Sequence, residues 1–157
     1  MDLLLDRLIL LHAGDAKTNV CVPFPVERDF ESLEFVCAYG PKGYDDEDAA
    51  RIMIEDGVRR FVPEEYRKGL EPLDRFLPSV TSLVTLSIDY KGRYLGCAHR
   101  HAPEQGHIIS GNFSSPGFFR QPALAGNWRA VINVHSVVSG ELRYRLRVLA
   151  RDGSEGA

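Results

Sequence analysis

Basic charge is the first thing this chain has little of. Nineteen Lys and Arg stand against 22 Asp and Glu, a formal net charge of −3 over 157 residues. A chain so balanced exerts no overall pull on polyanions, and nucleic acid is not an expected partner. Cysteine is sparse and odd in number: Cys21, Cys37 and Cys97. Three thiols do not make a disulfide framework, and they suit the reducing cytoplasm. No apolar run approaches the roughly 20 residues needed to cross a bilayer. "MDLLLDRLILLHAG" comes nearest, but Asp6 and Arg7 split it, and Asp2 sits where a signal peptide needs positive charge. No membrane association is expected, and the expected location is cytoplasmic. The G-x-S-x-G elbow, the glycine-rich phosphate loop and the CxxC pair are also missing.

What is present is an ordinary globular composition, 44% apolar and 26% charged, with enough length for one core. Residues 1–150 read as a single domain, and the small polar end, 151–157, reads as a disordered tail. "LLLDRLILL" is too short for periodicity to separate helix from strand. "NVCVPFPV", 19–26, reads as a strand, and its prolines suit an edge. "SLEFVCAY", 32–39, alternates Leu33, Phe35 and Cys37 against Glu34, Val36 and Ala38, a strand pattern.

One helix follows, over residues 46–61. Asp45 or Asp46 is the expected N-cap, with Glu47 and Asp48 in the first turn. Ala50, Ile54, Val58 and Phe61 fall on one apolar stripe, and Gly57 weakens the interior by about 1 kcal/mol. The proline-punctuated segment after it has room for one short turn of helix.

From residue 79 onward the pattern is β. Residues 82–101 read as a hairpin about "KG", "APEQG" as a turn, and "HIISGNF" as a strand. "NWRAVINVHSVVS" and "LRYRLRVLA" alternate clearly. Short strands joined by Gly and Pro turns predict an antiparallel β-sandwich of jelly-roll type with one helical insertion.

The chain resembles the β-sandwich domain found N-terminal to some PHP-family metal-dependent phosphoesterases. "VCVPFPVERDFESLEFVCAY" is similar to that domain's opening. "GRYLGCAHRH", "HIISGNFSSPGFF" and "AGNWRAVINVH" then follow its order: a Gly-bearing strand, a Ser-Pro-Gly-aromatic loop, and Gly-x-Trp opening an apolar strand. The resemblance covers roughly residues 19–148. It implies that Ser115, Pro116, Gly117, Phe118, Gly126 and Trp128 serve loop geometry and core packing. It also implies that the metal chemistry belongs to a separate phosphoesterase domain, for which 157 residues leave no room. The sequence departs from the pattern in its helix and in His99 and His101, where small residues are usual.

Those histidines are the first candidate site. On a strand, positions i and i+2 share a face, so His99 and His101 could share a divalent transition metal. Glu104, His107, His135 or Cys97 would complete the ligands. The alternative is a strand whose solvent face carries two histidines. Arg143, Arg145 and Arg147 form a ladder that, with Arg129 and Arg100, could receive phosphate or an acidic partner, or simply face solvent. In "SSPGFFRQP", only one of Phe118 and Phe119 can be buried if the loop is extended, leaving the other as an anchor for a protein or a platform for a sugar.

The leading expectation is a non-enzymatic binding module for a protein partner or a carbohydrate, with no cofactor, and with self-association open. The alternative is a small metal-dependent enzyme built on His99, His101 and His135, with Glu104 as general acid or base.

Overall fold

The computed structural model describes residues 1–153. The apolar N-terminal run, ambiguous between helix and strand, is strand β1 (Asp2–Leu11). Strands β2 (Thr18–Val26) and β3 (Ser32–Gly40) follow. After the helical insertion come β4 (Leu83–Tyr90), β5 (Arg93–Ala98), β6 (Glu104–Ser110), β7 (Gly126–Ser136) and β8 (Leu142–Arg151). They form two four-stranded antiparallel sheets, β1-β8-β3-β6 and β2-β7-β4-β5. The chain is a β-sandwich with a helical insertion. Its pairings are nested: β1 with β8, β2 with β7, β3 with β6, β4 with β5.

Alternation fixes the register, because a slip of one residue would turn every apolar side chain outward. Leu33 and Phe35 of β3 sit opposite Ala150 and Val148 of β8, and all four are buried. Val84, Leu86 and Ile88 of β4 face Val134, Ile132 and Ala130 of β7. The two inner faces meet in one cluster, with the Phe24 and Phe35 rings edge to face across the sheets at 6.1 Å. Each fully buried side chain of this size contributes about 1.5–3 kcal/mol. Trp128 is buried with its indole N–H donating to the Leu124 carbonyl at 3.0 Å, so the polar edge of this large ring is satisfied.

Two expected boundaries move. The return strand of the hairpin stops at Ala98, so His99, Arg100 and His101 lie in the connection beyond it. Glu104, Gln105 and Gly106, expected in the turn, open β6. The cause is pairing: Glu104 and Gln105 lie opposite Ala38 and Cys37 of β3, and that ladder outweighs the turn character of "PEQG". At the C-terminus, Arg151 closes β8 and Asp152 pairs with Arg28, so the ordered chain runs past residue 150. The rest of the expected tail, 154–157, lies outside the described residues.

The two sides of the sandwich differ. Beside β5 and β6, the loop 114–119 runs along both edges. The Cys97 amide donates to the Gly117 carbonyl at 3.0 Å, the Phe119 amide to Leu95 at 2.7 Å, and the Ser115 amide to Ile108 at 2.8 Å. Gly96 and Gly117 permit this closeness. Both have positive φ, +132° and +100°, and a Cβ on Gly96 would overlap the Gly117 carbonyl. Among the described residues, the opposite side, β1 beside β2, has no such cover. There Pro23 and Pro25 blunt the β2 edge, as expected for an edge strand.

The insertion between β3 and β4 holds α1 (Glu47–Phe61), α2 (Glu64–Arg67) and 3₁₀ turns at Lys68–Leu70 and Leu73–Ser79. Asp46 is the N-cap, its carboxylate accepting from the Ala49 amide at 3.0 Å. Asp45 instead accepts from the Gly140 amide at 3.0 Å. Of the apolar stripe, Ala50 is buried and Ile54 and Val58 are half-buried, but Phe61 is 79% exposed. The helix end outruns the Leu73–Ser79 turn it packs on.

Candidate functional site

Strand β4 is buried on both faces, which an outer strand face facing water should not be. Its inward side chains are apolar. Its outward ones, Thr85, Ser87 and Asp89, are polar and buried. They are covered by their neighbours on the outer face of the second sheet. Asn133 of β7 lies opposite Thr85, and Cys97 of β5 opposite Ser87. The Asn133 amide nitrogen stands 2.7 Å from Ser87 Oγ, 3.3 Å from Thr85 Oγ1 and 3.8 Å from Cys97 Sγ. One amide therefore ties three strands together through side chains alone.

The row continues in both directions. Toward one end, Arg129 of β7 donates from two nitrogens to one Asp89 oxygen, the Nε contact being 2.8 Å. Tyr94 of β5 sits opposite Asp89. Partial burial beside Cys97 and Asp89 raises its phenol above the ordinary value, and contact with Ser87 partly offsets this. The Tyr94 side chain thus leans over the polar row while remaining 55% exposed. Toward the other end, His135 of β7 lies 2.9 Å through Nε2 from Thr85 Oγ1. Its ring centroid is 5.3 Å from that of His99, and His99 is 6.1 Å from His101. Burial, then the neighbouring His99, lowers the His135 pKa below its ordinary 6.5.

The structure thus brings three of the four expected metal ligands into a chain, with His99 in the middle. It does so by a different route from the one expected. His99 and His101 are not alternate residues of a strand, and it is the cross-sheet neighbour His135 that lies nearer His99. Among the described residues, no three His, Cys, Asp or Glu side chains converge closely enough to hold a metal ion. Glu104 begins β6 on the other sheet. His107 points into the core. It is 1% exposed, packs on Phe118 at 5.3 Å between ring centroids, and bonds through Nε2 to Gln105 Oε1 at 3.0 Å.

The arginine ladder is separate from all of this. Arg143, Arg145 and Arg147 lie on the outer face of the first sheet, whereas Arg129 lies on the second. A patch containing both does not form. Arg145 pairs bidentately with Asp6 at 2.9 and 2.6 Å, and Arg143 meets Glu141 at 3.2 Å. Arg147 alone has no ion-pair partner among the described residues. It borders a shallow groove floored by Val36, Ala38 and Gly106. Of the two loop aromatics, Phe118 is buried and Phe119 is 64% exposed, the division expected for an extended loop.

The chain matches no family model and none of the curated proteins with which it was compared. Argument about function therefore rests on the surface itself. Sequence reasoning missed Tyr94, Asn133, Thr85, Ser87 and Asp89. Their signal was present as the polar positions of β4, but alternation reads such positions as solvated. Only their burial, set by side chains from β5 and β7, reveals a built surface.

Proposed function

We propose that the protein is a non-enzymatic binding module that takes a carbohydrate on the outer face of the β2-β7-β4-β5 sheet. The observation that carries this reading is the exposed Tyr94 side chain beside a preformed row of hydrogen-bonding groups: Ser87, Asn133 and the Asp89–Arg129 pair. A saccharide offers flat C–H faces and a rim of hydroxyls. An aromatic ring suits the first, and amide, carboxylate and guanidinium groups suit the second. The row is already held by its own hydrogen bonds, so binding would spend little on ordering it.

The nested strand pairings support reading the sandwich as a jelly roll. The order of "GRYLGC", "SSPGFF" and "GNW" supports kinship with the sandwich that accompanies PHP-family phosphoesterases. The three unpaired thiols suit a cytoplasmic setting. No helix among the described residues is long and apolar enough to cross a membrane.

Screening the protein on a glycan array, beside Tyr94→Ala, tests the reading. Wild type should retain a reproducible group of glycans, and the variant should bind them at least about tenfold more weakly, as for loss of one aromatic anchor. No retained glycan, or equal retention by the variant, would refute it. A protein partner is the second reading, favoured by the exposed Phe119 on a loop pinned to β5. In that case Phe119→Ala, rather than Tyr94→Ala, would weaken binding.

A further inference from the structure

We propose that His99 and His135 form a two-imidazole site for a borderline divalent cation of the Zn2+, Ni2+ or Cu2+ class. The site stands apart from the carbohydrate reading and does not depend on it. Its first support is placement. One ring comes from the connection just past β5 and the other from near the end of β7, 5.3 Å apart between centroids and nearly perpendicular at 83°. Two imidazoles that share one tetrahedral ion with bonds of about 2.0–2.1 Å have their ring centres about this far apart.

The second support is independent and concerns the proton. Thr85 Oγ1 is buried and sits 2.9 Å from His135 Nε2. The Asn133 amide, which has no lone pair to offer, already donates to the same oxygen at 3.3 Å. The hydroxyl oxygen has a second lone pair, so it can accept from His135 when that ring carries its proton on Nε2. That tautomer leaves the Nδ1 lone pair free for a metal ion. An imidazole whose second nitrogen is held by an outer hydrogen bond is the usual arrangement of a metal-ligating histidine. Two protein nitrogens leave the remaining positions to water or to a ligand. His101, 6.1 Å beyond His99, is the nearest further imidazole.

The test is titration of the protein with Zn2+ alone, followed by calorimetry and by the histidine ring signals in NMR spectra. His99→Ala, His135→Ala and Thr85→Val are compared with wild type. Both histidines are exposed, so their substitution should leave the melting curve of the metal-free protein unchanged. The expected result is one Zn2+ per chain, shifts at both rings, and loss of that binding in either histidine variant. Thr85→Val, still folded, should bind about tenfold more weakly because the outer hydrogen-bond partner of His135 is lost. No heat and no ring shift in wild type would overturn the proposal. So would Zn2+ binding that survives either histidine substitution, since the pair would then not be the site. Neither result bears on glycan retention, so the two readings fail separately.

Discussion

His107 shows at the level of one residue how the sequence's histidines divide. Its Nε2 faces Gln105 Oε1, because the Gln105 amide nitrogen is committed to the Ala102 and Arg100 carbonyls at 2.6 and 3.2 Å. The ring therefore donates from Nε2, and Nδ1 is left buried with no partner. A second proton there would be a charge in the core beside Phe118. Burial, and then the positive Arg100, push the His107 pKa below its ordinary 6.5. The sign of the linkage follows. The unfolded chain takes up this proton more readily than the folded one, so the folded state is favoured fully above pH 6.5 and loses that advantage as pH falls toward the lowered value. The melting temperature should drop between about pH 7.5 and pH 5, and the drop should be shallower in His107→Gln, which keeps a donor for Gln105 but cannot titrate. A His107→Gln profile parallel to wild type would show that other groups set the acid response. His135, lowered for the same reason but more exposed, should leave a smaller residual slope.

The elements were legible to different depths, and the reasons are local. Strands β3, β7 and β8 were readable because one face of each is buried, so apolar and polar residues alternate along them. β1 was not, since its leucines recur on both faces: Leu11 is buried, whereas Leu3, Leu8 and Leu10 are exposed. The candidate site was the least legible part. Thr85, Ser87 and Asp89 look like solvent-facing residues until Asn133, Cys97 and Tyr94 are laid across them, and those come from other strands. The histidines were seen, but their neighbour relations depend on where β5 stops. Just before that end, β5 is pinned to the 114–119 loop through the close approach of Gly96 and Gly117. Gly96→Ala should therefore be costly: alanine disfavours φ +132°, and its Cβ would meet the Gly117 carbonyl. A loss of about 3 kcal/mol in urea denaturation is expected, with the loop detached from β5. A loss under about 1 kcal/mol would mean the loop can shift freely, and that it does not set the geometry beside Cys97 and His99.

At the scale of the molecule, the nested pairing explains why so large an insertion is tolerated. β3 and β4 belong to different sheets, so the chain must cross between them at one end of the sandwich. The crossing is closed at its neck before the helices begin. Gly43 and Thr81 form a bridge, and the Ser82 amide donates to the Lys42 carbonyl at 2.8 Å. Above the neck the insertion packs mainly on itself, α1 against the Leu73–Ser79 turn, with Arg51 tying Asp74 to the helix at 3.1 Å. Of its own apolar residues, only Ala50 and Leu77 are buried, and neither belongs to the sandwich core cluster. Just before the helix, Asp45 caps the sandwich's Gly140 amide. An ordered connection that is already brought together at its base contributes little to the core it leaves. Replacing residues 46–79 by a short glycine linker should therefore leave a protein with a strand-type circular dichroism spectrum and a single cooperative melt. The Zn2+ titration should be unchanged, because His99, His135 and Thr85 all lie outside the excised segment. Loss of the cooperative melt would mean that the helices hold β3 and β4 in register, and the insertion would then be part of the fold rather than an appendage to it.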